Sequence, residues 1–127
     1  MTTAQRDKTH APGRYADVNG VHLYYETHGE GRPMILLHGG LTSGEMFAPI
    51  LPALTTKHQV ILVDLQGHGR TADVDRPLDM ALMADDVAAL IDLLGLDRPD
   101  VVGFSLGGGV ALHWRSRARS TPRPPST

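Results

Sequence analysis

The chain has 127 residues, 41% of them hydrophobic, which suits one modest globular domain. It contains no cysteine, which excludes a disulfide framework, a thiolate metal site and a cysteine nucleophile. The formal net charge is only -2, and no apolar run approaches the length needed to cross a bilayer.

The charge is unevenly spread. All 14 acidic residues lie at or before Asp100, whereas Arg115, Arg117, Arg119 and Arg123 crowd the C-terminal end. A basic tail occurs in some nucleic-acid and membrane binders. This one has a single aromatic, Trp114, and follows an acidic body, so no nucleic acid and no membrane partner is expected.

Met1 to Gly13 is polar and lacks the apolar segment of a secretory signal, so it is expected to be a disordered N-terminus of a cytoplasmic protein. Tyr15 to Val18 and Val21 to Thr27 favour strands and flank Asn19-Gly20. That pair tolerates the positive φ of a type I′ turn, which predicts a hairpin. Gly29 to Pro33 reads as a turn, and Met34-Ile35-Leu36-Leu37 as a buried parallel strand. A helix is expected over Glu45 to Thr55, made short or irregular by Pro49 and Pro52. Val60 to Val63 is a second buried strand, ending at Asp64.

The strongest helix signal comes next. Asp79 suits an N-cap, with Leu78 and Met83 spaced as a hydrophobic staple. Met83, Val87, Leu90, Ile91 and Leu94 recur on one face, with Asp85, Asp86 and Asp92 off it. Gly95 sits where a left-handed cap is wanted. Val101-Val102 opens a third buried strand, and a helix is expected from Leu106, with Gly107, Gly108 and Gly109 allowing close packing at its start. Strands alternating with helices predict an α/β domain with a mostly parallel sheet, begun by an antiparallel hairpin.

Gly103-Phe104-Ser105-Leu106-Gly107 fits G-x-S-x-G, the nucleophile elbow of serine hydrolases. A sharp strand-to-helix turn exposes the serine oxygen, and the flanking glycines let strand and helix approach. Ser105 is therefore the candidate nucleophile, and the N–H of Leu106 at the helix start is a candidate oxyanion donor. His38-Gly39-Gly40 follows the strand Met34 to Leu37. A glycine-rich turn there can aim a second N–H at the same site, from Gly40 or alternatively Leu41. In Asp64-Leu65-Gln66-Gly67-His68-Gly69, Asp64 and His68 are expected to tie down a loop by hydrogen bonds. No ligand spacing supports a metal site.

His-Gly-Gly after one strand, Asp-x-x-Gly-His-Gly after the next and Gly-Phe-Ser-Leu-Gly-Gly after the third resemble the α/β-hydrolase family in order and spacing, over about Tyr15 to His113. The resemblance implies a partial α/β-hydrolase fold over residues 14–113, truncated after the elbow helix. It implies Ser105 as nucleophile, Gly40 and Leu106 as the oxyanion hole, and His38, Gly39, Gly103 and Gly107 in support. No cofactor or metal is implied, and the substrate of the full-length parent would be a small ester-like molecule. A branch of the family with Asp as nucleophile handles epoxides and carbon–halogen bonds. Ser105 points instead to carboxylesterases, lactonases, C–C hydrolases or cofactor-free perhydrolases.

The family's order places an acid and then a His after the nucleophile. After Ser105 there is no Asp or Glu, and the one His is His113. Eight residues of helix put it about 12 Å down the axis, whereas a general base must come within about 3 Å of the hydroxyl. The chain alone is therefore expected to be inactive or nearly so, and the alternative reading is an inactive fragment or pseudogene product. Trp114 to Thr127 is rich in Arg, Ser and Pro and is expected to be a disordered tail. A reading-frame shift would account for it, because TGG-CGN-TCN read one base earlier encodes apolar residues; a genuine basic tail is the other reading. Without later strands, Asp100 to Phe104 would be an open sheet edge that promotes aggregation.

Overall fold

The computed structural model describes residues 13–120. The expected N-terminal disorder therefore lies outside the described residues, apart from Gly13, which opens the first strand. Strands β1 (Gly13–Val18) and β2 (Val21–His28) form the hairpin. Asn19 and Gly20 take φ of 53° and 81°, the two left-handed residues of a type I′ turn. Then come β3 (Arg32–Leu37), a 3-10 turn (Gly44–Phe47), α1 (Leu51–Leu54), β4 (His58–Val63), α2 (Met80–Leu94), β5 (Asp100–Gly103) and α3 (Leu106–Ser120).

One mixed sheet has the order β1-β2-β4-β3-β5. β2 pairs antiparallel with β1 and β4, while β3 lies parallel between β4 and β5. Burial on both faces explains the unbroken apolar runs of β3 and β4. Ile35, Leu37, Ile61 and Val63 face a core closed by Met83, Val87, Leu90 and Ile91 of α2 and Val110 of α3. Leu36, Val60 and Leu62 face the opposite side, where Phe47, Met46 and Leu51 cover them.

The structure differs from the sequence reading in several places. β3 starts at Arg32, so the turn is shorter than expected; Pro33 is tolerated because β5 joins only from Met34, opposite Asp100. The Glu45–Thr55 helix divides into the 3-10 turn and the four-residue α1, as its prolines require. Asp79 caps α2 by accepting from the N–H of Ala81 and Leu82, but Leu78 is 58% exposed, so the cap rather than a staple holds that end. The segment from Trp114, expected to be disordered, stays helical through Ser120. Its first prolines come later, Trp114 packs against the core, and Arg117 pairs with Asp85 of α2.

Asp86, expected off the apolar face of α2, is fully buried. It forms an ion pair with Arg76 and accepts from Asn19 Nδ2 at 3.1 Å. Arg76 also donates from Nε to Gln66 Oε1 at 2.7 Å, and Gln66 Nε2 donates to Asp73 Oδ1 at 2.8 Å. A single carboxylate thus ties the hairpin turn, α2 and the long loop after β4 together.

β5 pairs with β3 alone among the described residues, and Val102 and Phe104 are 46% and 59% exposed beside its free edge. A charge on such an edge opposes strand addition. Val102→Lys is expected to lower light scattering and shift the chain toward monomer in size-exclusion chromatography; unchanged scattering would place the association elsewhere. Arg76→Ala leaves Asp86 buried without its cation and is expected to destabilise the fold by about 3–5 kcal/mol in urea titration.

Candidate active site

The elbow is held by close approach of backbone to backbone. Phe104 donates its N–H to the Leu37 carbonyl at 3.0 Å, extending the β3–β5 pairing into the turn. Ser105 takes φ of 55°, a left-handed conformation unusual outside glycine, and is exposed. A Cβ at Gly103 would run into the Gly107 carbonyl, and a Cβ at Gly107 into the carbonyl of Leu37. Both glycines are thus required for α3 to start against the end of β3. Gly107 and Gly109 donate back to Phe104 and Ser105 at 3.0 and 3.2 Å, turning the chain directly into α3.

His38 is fully buried and works as a pin between two loops. Its Nε2 accepts the Leu65 N–H at 2.9 Å, which leaves Nδ1 to donate to the Gly39 carbonyl at 2.7 Å. Both ring nitrogens are used, so His38 is neither a metal ligand nor a base here. Burial is the main cause that pushes its pKa below the ordinary histidine value, with the nearby His68 ring adding to it. Asp64 ties the same loops, accepting from the N–H of Gly44 at 2.8 Å and of Arg70 at 3.0 Å. His68 faces the Gln66 carbonyl through Nδ1 at 2.9 Å. The loop-tying roles expected for Asp64 and His68 are the ones observed. No cluster of three or more His, Asp or Glu among the described residues is placed to hold a metal ion.

The turn after β3 is built around the Gly39 carbonyl. It accepts from the N–H of Thr42 at 3.3 Å and from the Thr42 hydroxyl at 2.6 Å, with Leu41 at φ of 65° closing the bend. The Gly39 N–H points to the Met46 sulfur at 3.4 Å and is therefore not available to a ligand. Gly40 and Leu41 are exposed to solvent. The Phe104 ring lies over Gly39, where an added Cβ would come within 3.0 Å of it. The sequence reading missed Thr42, Met46 and the Phe104–Gly39 contact. A threonine and a methionine on a short turn carry no motif, and only the fold brings them to the loop.

Among the described residues the Ser105 hydroxyl has no histidine or carboxylate partner. His38 is committed, and His113 lies on an exposed face of α3.

A family profile for the alpha/beta hydrolase fold matches residues 32–124, and the chain belongs to that family. It is 38% identical over 102 residues to a soluble epoxide hydrolase from a Corynebacterium species, covering 78% of this chain and 35% of that protein. It is 40% identical over 100 residues to a pimeloyl-(acyl-carrier protein) methyl ester esterase from Chromobacterium violaceum, covering 76% and 36%. Among solved structures it superposes on the epoxide hydrolase CorEH with a TM-score of 0.83 at 34% identity, covering 87% of this chain and 39% of that one. The N-acyl homoserine lactonase AidH gives 0.78 at 31% identity, with 84% and 40% covered. The chain thus spans little more than a third of the length of the relatives it matches.

Because burial keeps His38 neutral when folded, the unfolded chain binds the extra proton first as pH falls below about 6.5. Stability contributed by His38 is present above that pH and is lost as pH drops toward its lowered folded value. The urea midpoint is expected to fall between about pH 7.5 and 5.5, and the fall should shrink in His38→Gln. An equal slope in both proteins would assign it to other groups.

Proposed function

We propose that residues 13–120 are the nucleophile-bearing portion of a serine hydrolase acting on ester- or lactone-type bonds. The observation that supports this most directly is Ser105 at φ of 55°, exposed on a strand-to-helix turn that only Gly103 and Gly107 permit. In this reading the Ser105 oxygen attacks the acyl carbon and its proton passes to a base. The alkoxide leaves with a proton, and water then releases the acid from the acyl-serine. The N–H groups of Leu106 and Gly40 hold the oxyanion as it forms. The names of two relatives, a methyl ester esterase and a lactonase, favour acyl chemistry. Others are epoxide hydrolases, but a serine hydroxyl in place of the carboxylate of the family's Asp branch fits acyl transfer better. No helix of the described residues is long and apolar enough to cross a membrane, and a cytoplasmic location belongs to the same proposal.

A second reading is a catalytically inactive chain. It rests on the Ser105 hydroxyl having no base among the described residues. Loss of triad members leaves only residual catalysis from an oxyanion hole, so this chain alone is expected to hydrolyse esters hardly faster than buffer. The test is hydrolysis of a short-chain activated ester by the purified chain beside Ser105→Ala. Serine-dependent turnover would overturn the inactive reading and require a base recruited from elsewhere. Identical slow rates support it, and rapid turnover by Ser105→Ala would remove Ser105 as nucleophile.

A further inference from the structure

We infer that Met46 is an oxidation site, taking its oxygen from hydrogen peroxide or an organic hydroperoxide, and that its sulfoxide displaces the Gly39–Gly40 turn beside the elbow. The inference concerns the loop alone and holds whether or not Ser105 catalyses hydrolysis. Met46 is half-buried on the 3-10 turn between β3 and α1. Its side chain runs from the cluster of Leu36, Phe47, Val60 and Leu62 to the loop, where its sulfur accepts the Gly39 N–H at 3.4 Å. The Thr42 hydroxyl oxygen lies 3.4 Å from the same sulfur, but its proton is drawn to the nearer Gly39 carbonyl at 2.6 Å. A thioether is a weak acceptor, so the Gly39 amide is held by the weakest bond in its turn.

Oxidation transfers one oxygen from the peroxide to the sulfur. The O–O bond breaks, an S–O bond forms, and the peroxide leaves as water or an alcohol. The product is polar, where the thioether was apolar. An oxygen inserted along the 3.4 Å line from sulfur to the Gly39 nitrogen would sit well inside normal N···O contact. The sulfur cannot retreat without driving a polar group into Leu36, Phe47, Val60 and Leu62, so the loop is the part that yields. Gly39 is also pressed by the Phe104 ring, and Phe104 adjoins Ser105. A shift at Gly39 thus reaches the Gly40 N–H on one side and the elbow on the other.

Two of the other described methionines supply internal comparisons. Met83 is 1% exposed and should stay reduced, whereas Met80, 42% exposed with its sulfur beside Gly109 of α3, should oxidise. The experiment treats the folded chain with hydrogen peroxide, maps sulfoxides by peptide mass spectrometry, and follows deuterium uptake in peptides covering His38 to Thr42. The expected result is sulfoxide at Met46 and roughly fivefold faster exchange in those peptides, the size that loss of one hydrogen bond implies. Exchange over β4 should be unchanged, and methionine sulfoxide reductase should reverse the effect. Met46→Leu, similar in volume, should abolish the peroxide response, and Met46→Gln should reproduce the faster exchange without peroxide. Met80 oxidising while Met46 stays reduced would overturn the inference, as would oxidation of Met46 with no change in the loop.

Discussion

The structure depends on one close approach, that of the elbow backbone to the end of β3. The Leu37 carbonyl accepts the Phe104 N–H, and it occupies the space that a side chain at Gly107 would need. Within this tightly packed turn Ser105 holds φ of 55°. The same contact aims the start of α3 at the end of the sheet.

Around that contact the loops are fixed by groups chosen for hydrogen-bond geometry. A neutral imidazole offers one donor and one acceptor on opposite sides of a rigid ring. His38 uses them to join the Gly39 carbonyl to the Leu65 N–H, 27 residues away in the chain. A protonated ring could not accept from Leu65, and burial disfavours it as well. Both of its ring nitrogens are committed to tying loops, so the work of His38 is structural. The His-Gly-Gly turn keeps its shape because His38 is already satisfied.

Elements whose signal is local were legible in the sequence. Asn19-Gly20 specifies its turn by its own conformational preference, Asp79 and Gly95 bound α2 by local capping, and the elbow is recognisable because steric exclusion acts within five neighbouring residues. The misreadings share a different cause. Asp86 looked like a solvent-facing residue because helical periodicity says nothing of Arg76, ten residues earlier on a loop that folds back over α2. Trp114 to Ser120 looked disordered because its composition is polar, but a helix that already has a packed N-terminal half extends easily through Arg and Ala. Phe104 meets Gly39 only when β3 and β5 lie side by side, and Met46 meets it only when the 3-10 turn folds back over β3 and β4. No pattern in either segment carries that information.

The open side of the sheet and the unpartnered serine coincide. β5 is the strand that delivers Ser105 and also the strand whose outer edge carries no neighbour among the described residues. Val102, Phe104 and Ser105 are all exposed. A further strand paired at this edge is one route by which the proposed hydrolase would gain its base. A residue supplied in this way would arrive on a backbone already fixed by strand pairing, which is the precision that general-base catalysis demands.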